Sequence, residues 1–136
     1  MTCHLYLVVL GGRIKGCNIE LHDVRWVVGE SIEDTIISLK KEWFGDKKGL
    51  HIDSYRMIEH VDGMDITVVH SPSVKIPGEN YLWFVNLGGY SSQTMAEQHE
   101  FGIIVARTQQ LAKSKAKQRW LKGMTKIHKD DVHPVT

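Results

Sequence analysis

Cysteine is scarce in this chain, with two among 136 residues, Cys3 and Cys17. Two thiols cannot build a disulfide framework, and neither lies in a C-x-x-C pair of the kind used for zinc or thiol redox chemistry. The chain therefore reads as unbridged, with Cys3 packed and Cys17 in a loop. Charge of one sign is lacking too: 17 Lys and Arg face 16 Asp and Glu, for a net charge of +1. This excludes a globally basic or acidic surface, so attraction to nucleic acid or to a membrane surface would have to be local. Long apolar runs are missing. The longest near the start, Leu5 to Leu10, is too short for a signal-peptide core or a membrane span, and no charged segment precedes it. A cytoplasmic protein that does not enter a membrane is the expectation. Neither Gly-Gly pair is followed by the Lys-Ser/Thr of a phosphate-binding loop. The histidine and carboxylate spacings match no recognised metal signature, so no residue is assigned as a metal ligand and the cofactor is unknown.

What the sequence does contain is a repeat. Sliding the chain along itself by 77 residues lays Leu82 to Thr136 over Leu5 to Glu59 without a gap. Leu5, Val8, Leu10, Gly11, Gly12, Glu20, His22, Val28, Lys40, Trp43, His51 and Asp53 meet identical residues, 12 of 55 positions. Average composition gives roughly three by chance. Copy one spans residues 4–70 and copy two 81–136, joined by a linker at 71–80 that carries Pro72, Pro77 and Gly78.

In copy one, His4 to Leu10 has the apolar content and length of a buried strand, ended by Gly11-Gly12. A polar loop from Gly11 to Asp23 follows, long enough to suggest function, and Val24 to Val28 resumes a strand. Ser31 and Asp34 resemble a capping box, and Ile32, Ile36, Leu39 and Trp43 share one helical face, with Gly45 as C-cap. His51 to His60 is strand-like, and Asp62-Gly63 marks a hairpin into an alternating strand, Met64 to His70. Copy two replays this with strands at Tyr81 to Leu87 and Phe101 to Ala106. Its helix starts at Thr108, carries Leu111, Ala116 and Trp120 at helical spacing, and ends at Gly123. The pattern predicts an α+β fold, mostly antiparallel, with two helices on one face of the sheet. It is built as a single domain from two pseudo-twofold-related β-β-α-β repeats. An edge strand left open would be covered in a homodimer.

The polar positions shared by the copies carry the chemistry. Glu20 and His22 are two residues apart, as are His51 and Asp53, and in extended backbone such pairs project to the same side. Copy one thus offers Glu20, His22, His51 and Asp53, and copy two Glu97, His99, His128 and Asp130. Two imidazoles and two carboxylates can ligate a transition metal, or work as general acid and base, or pin a long loop to a sheet by hydrogen bonds. Asp23 and Arg25, beside His22, belong to copy one alone, as do Gly16 and Asn18. If one site is active, it is the first. Trp43 and Trp120 read as core residues.

The run Leu-Gly-Gly-Arg-x-x-Gly-x-Asn-x-Glu-x-His-Asp-Val-Arg-x-Val-x-Gly-Glu, with Trp43-Phe44 and His51-Ile52-Asp53-Ser54 after it, resembles a small bacterial family known as domain of unknown function 1543. The resemblance is closest over residues 5–70. It implies one or two copies of the domain per chain, and it implies that Gly11, Gly12, Asn18, Glu20, His22, Asp23, Arg25, His51 and Asp53 are the family's own positions. Copy two departs at the Asn, Asp-Val-Arg and Gly-Glu positions and is degenerate. The resemblance brings no activity.

Three functional readings follow. The first is a binding or assembly module whose His-carboxylate clusters are structural, its small-molecule ligand unknown. The second is a small metal-dependent or acid/base enzyme, with Glu20, His22, Asp23, His51 and Asp53 as catalytic candidates and Gly11, Gly12, Asn18 and Arg25 binding the ligand. The third is anion or RNA contact through the basic second helix, where eight Lys and Arg fall between Phe101 and Lys129 with no acid among them. That helix lacks interleaved aromatics, so nucleic acid is the weakest of the partners.

Overall fold

The computed structural model describes residues 2–70 and 79–135, and only the backbone of Lys126, Lys129 and Asp130. Most of the linker expected at 71–80 lies outside the described residues. The chain divides into two compact units. The first holds strand β1 (His4–Gly12), β2 (Leu21–Gly29), a 3-10 turn at Glu33–Thr35, helix α1 (Ile36–Glu42) and β3 (His51–Ile58). A short hairpin, β4 (His60–Val61) and β5 (Met64–Asp65), comes next, and its turn, Val61–Met64, groups with the second unit. That unit contains β6 (Tyr81–Tyr90), β7 (Gln98–Ala106), α2 (Gln109–Arg119) and β8 (Thr125–Pro134).

The expected α+β, antiparallel architecture is present, but in place of the expected single sheet the described residues form two three-stranded sheets and the small β4-β5 hairpin. Each unit has a three-stranded sheet of its own, in the order β2-β1-β3 and β7-β6-β8, with every pairing antiparallel. Each sheet is covered by its own helix, because each repeat supplies enough apolar residues for a core. Tyr6, Val8 and Leu10 alternate along β1 and bury against Leu39 and Trp43 in the first unit. Val85, Leu87, Ile104 and Ala106 bury against Ala112 and Ala116 in the second. The repeat identities Val8/Val85 and Leu10/Leu87 are thus core positions.

Several local expectations need correction. The strands run further than the apolar residues do, so the loop expected from Gly11 to Asp23 shrinks. Gly11 and Gly12 pair with His22 and Leu21 inside the sheet. Ser31 makes no side-chain cap: the first helical turn is 3-10, with Ile32 at its N-cap, and Ser31 accepts only through its backbone carbonyl from Asp34 N–H at 3.2 Å. Neither Gly45 nor Gly123 is a C-cap, since Trp43 and Trp120 end the two helices in extended conformation. Gly45 is small for another reason, as a Cβ there would meet the Arg13 carbonyl at 2.6 Å. Thr108 does cap α2, its hydroxyl accepting from Leu111 N–H at 3.2 Å. Leu111 itself is exposed, and the face of α2 against the sheet is made by Ala112 and Ala116, small residues that let helix and sheet approach closely. The Asp62-Gly63 hairpin forms with both residues at positive φ, 51° and 79°, as a type I′ turn requires. The strand after it stops at Asp65 instead of continuing to His70.

Candidate functional site: a histidine and carboxylate row across the first sheet

Residues opposite one another in antiparallel strands share a face. Gly11 of β1 lies opposite His22 of β2 and opposite His51 of β3, so the two imidazoles flank a glycine in one row across all three strands. Gly12, the next residue along β1, faces the core, where a Cβ would come within 2.7 Å of the Trp43 ring. By strand alternation Gly11 faces the other way, placing the row on the side of the sheet away from α1. The missing Cβ of Gly11 has a direct use. An added Cβ would overlap the Glu20 carboxylate and stand 2.8 Å from His51 Nε2. Glu20, one residue before β2 begins, therefore folds its carboxylate over bare backbone between the histidines.

Asp53 reaches the row through a β-bulge. Val9 pairs with Ser54 and Leu10 with Ile52, leaving Asp53 as the extra residue of β3. Its Oδ1 is 2.9 Å from His51 Nε2 and its Oδ2 2.9 Å from His22 Nδ1. Glu20 Oε1 is 2.9 Å from the same His51 Nε2 and 4.0 Å from His22 Nε2. The other ring nitrogen of His51, Nδ1, lies 2.9 Å from the Gly49 carbonyl oxygen. A carbonyl can only accept, so Nδ1 carries a proton, and Nε2 is the atom turned to two carboxylates. The Gly49 carbonyl first, and then Glu20 and Asp53, raise the His51 pKa above its ordinary 6.5, although desolvation acts in the opposite sense. Glu20, His51 and Asp53 each offer an atom within 4.8 Å of the others, a grouping that could hold a metal ion. All four side chains are between one third and just over one half exposed. On the other side of β3, a cavity of about 290 Å³ lined by Leu10, Ile36, Leu39, Lys40, Leu50 and Ile52 also borders His51.

Other candidates lie elsewhere. Asp23 sits opposite Leu10, and Arg25 opposite Val8, so both share the α1 side of the sheet. There Arg25 pairs with Asp23 at 3.2 Å and with Glu42 at 3.6 Å. They tie β2 to the end of α1 and do not join the row. Gly12 makes room for Trp43, and Asn18 is exposed in the loop. The residue type at Gly11 and the His-x-Asp pair were visible in the sequence, but the bulge was not.

The second unit repeats the register. His99 and His128 lie opposite Gly88 on its two sides. Asn86 pairs with Asp131 and Leu87 with Lys129, so the bulge recurs at the equivalent place, at Asp130, whose side chain lies outside the described residues. Glu97 Oε1 is 3.4 Å from His128 Nε2 and 3.8 Å from His99 Nε2. The Tyr90 hydroxyl donates to Glu97 Oε2 at 2.9 Å, and its ring stacks on His128 with centroids 5.8 Å apart. The substitutions at the Asp23 and Arg25 positions have local reasons. Glu100 accepts from the Leu121 N–H at 2.9 Å beyond the end of α2, and Gly102 leaves space for Trp120, whose ring would lie 2.7 Å from a Cβ. Trp43 rests over β1 and Trp120 over β7, so the two matched tryptophans fill different places in their cores.

The profile of the family described as Domain of Unknown Function (DUF1543) matches residues 17–68 and 94–136, one segment in each unit. This chain belongs to the DUF1543 family. The two matched segments carry Glu20, His22, His51 and Asp53 in one DUF1543 unit and Glu97, His99, His128 and Asp130 in the other. Among solved structures, a protein Il1583 from Idiomarina loihiensis is similar, with 38% sequence identity and a TM-score of 0.74 over 98% of this chain and 77% of that one. A search of curated proteins found no match. No helix among the described residues of this DUF1543 protein is long and apolar enough to cross a membrane.

Proposed function

We propose that the first unit binds a divalent metal ion through Glu20, His51 and Asp53 and that the protein is a small metal-dependent acid/base enzyme. The observation that carries this is the placement of His51 Nε2, 2.9 Å from a carboxylate oxygen of each of Glu20 and Asp53, with Nδ1 occupied by the Gly49 carbonyl. A neutral imidazole with its proton on Nδ1 would turn a lone pair toward two anions. A cation among the three donors removes that conflict, and a backbone carbonyl on the far nitrogen is the usual way of orienting a metal-binding histidine. Three protein ligands at a half-exposed position leave coordination sites open, as catalytic metal sites do and closed structural ones do not. A bound water would be acidified there, and His22, held through Nδ1 by Asp53, is the adjacent base.

Read instead as structural pins in a binding or assembly module, these pairs would contribute little. Ion pairs this exposed are worth about 0–1 kcal/mol each. A metal-free variant of the enzyme reading, with His51 as an imidazolium donating to both carboxylates, is favoured by its raised pKa. The protein is taken to act in the bacterial cytoplasm, and an open sheet edge is where a homodimer would form. Contact with RNA is disfavoured because Lys115 and Arg119 of α2 are engaged internally, with the Val105 carbonyl and Asp62.

The test is calorimetric titration of Mn2+, Fe2+ and Zn2+ into protein purified without a metal-affinity tag, alongside His51→Ala and Glu20→Gln. Loss of the first unit's bound equivalent in both variants, at thermal midpoints near wild type, is the expected result. Absence of binding by any of the three ions, or unfolding of both variants, overturns the proposal.

A further inference from the structure

We infer that a groove between β3 and the helical segment of the first unit binds a short apolar peptide in extended form, with its N-terminal ammonium at Glu33 and its C-terminal carboxylate at Lys40. The site is separate from the histidine and carboxylate row and does not rest on the metal reading. Beside the cavity of about 290 Å³ already described, a second of about 520 Å³ opens along β3. Glu33 and Ile36 line it from the helical side, and Ile52, Asp53, Ser54 and Tyr55 from the strand. Ile36 and Ile52 border both cavities, which therefore continue into each other as one groove. Small-ligand sites occupy about 300–1,000 Å³, so there is room for a few residues. The groove exists because α1 leans toward β2, where Arg25 pairs with Glu42, and leaves Ile36 and Tyr55 exposed on the β3 side.

The lining identifies the occupant. A cavity on one face of a strand touches alternate residues. This groove touches every residue from Leu50 to Tyr55, so it follows the backbone edge of β3. That edge ends the order β2-β1-β3 and pairs with no further strand among the described residues. An extended peptide laid there bonds the strand's outward N–H and C=O groups, the usual way a sheet edge takes up a peptide. Ile36, Leu39, Leu50 and Ile52 form the wall, which calls for apolar side chains. Glu33, Ile36 and Lys40, at steps of three and four, make one helical stripe with a charge of opposite sign at each end. At 1.5–2.0 Å per residue the two charged positions are roughly 11 Å apart along the axis. Three extended residues span at most roughly 10–11 Å, so a tripeptide fits with its termini at the two charges. Neither charge is held in an ion pair among the described residues. Burial first, and then Tyr55, Glu33 and Asp34, raise the Tyr6 pKa above its ordinary 10, which marks the Glu33 end as negative. β3 runs from the Lys40 end to the Glu33 end, and a peptide held by its termini runs the other way. Charge thus selects antiparallel pairing, as β3 already makes with β1 on its inner edge.

The experiment is titration of the tripeptide Leu-Val-Leu into the full chain, with a chelator present, followed by the NMR shifts of the backbone amides. Free, N-acetylated and C-amidated peptides are compared on wild type, Glu33→Gln and Lys40→Met. Both substitutions are at exposed side chains, and circular dichroism checks the fold. Saturable shifts centred on Leu50 to Tyr55 are expected with the free peptide. Removing one charge, on peptide or protein, should weaken binding by roughly two- to fivefold, the worth of one exposed ion pair. Acetylation should then cost nothing further in Glu33→Gln, and amidation nothing further in Lys40→Met. Acetylation that is silent in Lys40→Met instead, or binding indifferent to both variants, overturns the inference. So does the absence of any shift, and a chain that also sediments as a dimer then gives the edge to a second copy. Shifts that persist in Glu20→Gln, which alters the row and leaves the groove intact, support the inference even where the metal proposal fails.

Discussion

The adjacent glycines of β1 allow a clean separation of site from fold, because they face opposite sides of one sheet. Gly11→Ala places a methyl group in the space of the Glu20 carboxylate and 2.8 Å from His51 Nε2. The group displaced is the far end of a flexible, one-third exposed side chain, and it can swing into water. Ala is also the better strand residue, by roughly 0.5–1 kcal/mol. The fold should therefore be nearly unchanged, with the thermal midpoint within about 4 °C of wild type. The proposed cation site, however, would lose a direct ligand. The drop in affinity should exceed the roughly 10–100-fold that follows loss of an outer-shell partner. Gly12→Ala pushes instead on the buried Trp43 ring, from 2.7 Å, inside the core. Overpacking of this kind costs about 1–3 kcal/mol. At roughly 3–5 °C per kcal/mol the midpoint should fall by roughly 3–15 °C, with cation affinity intact in the folded protein. Differential scanning calorimetry and isothermal titration on the two variants give both numbers. A Gly11→Ala protein that binds as wild type does, or one destabilised as much as Gly12→Ala, would refute the arrangement described for Glu20.

Two further outcomes concern the cores. The indole N–H of Trp43 is buried and has no acceptor among the described residues. Trp43→Phe should therefore cost little beyond lost volume, about 1 kcal/mol or less, whereas Trp43→Ala should cost about 3–5 kcal/mol, both read from urea midpoints. A Trp43→Phe loss as large as that of Ala would show that the N–H is bonded after all. In the second unit Asp62 accepts from the Val105 N–H at 2.9 Å and pairs with Arg119 at 2.7 Å. Asp62→Ala should cost about 1–2 kcal/mol. Asp62→Asn keeps an acceptor and tolerates the positive φ of 51°, so it should lose clearly less, and equal losses in the same denaturation assay would argue against the Val105 bond.

The repeat, the succession of elements within each copy and the candidacy of Glu20, His22, His51 and Asp53 could be read from residue identities, because apolar alternation and i, i+2 spacing are local signals. What could not be read depended on groups distant in sequence. Gly11-Gly12 resembles the end of a strand until the partner residues, His22 and Leu21, are known. Asp23 and Arg25 adjoin His22 in the chain and yet serve the opposite face, since neighbours in a strand diverge. Leu111 looked like a core residue, but the register of α2 on its sheet chose Ala112 and Ala116. Trp120 was matched to Trp43 by sequence, whereas the glycine that admits each ring lies on a different strand, Gly12 on β1 and Gly102 on β7.

The extra residue in β3 has a consequence for how this chain can change. Before it, odd-numbered residues such as His51 face away from α1. After it the parity inverts, so that Ser54 shares their side and Tyr55 turns toward the helix with Ile52. Asp53 is the one position where the strand owes no side chain to either pattern. The half of β3 from Ser54 to Ile58 can accept substitutions tuned to its own two faces without altering the aim of His51. Deleting Asp53 would leave Ile52 opposite Leu10 and Ser54 opposite Val9 in regular pairing, so that half would keep its inside and outside while the row lost its second carboxylate.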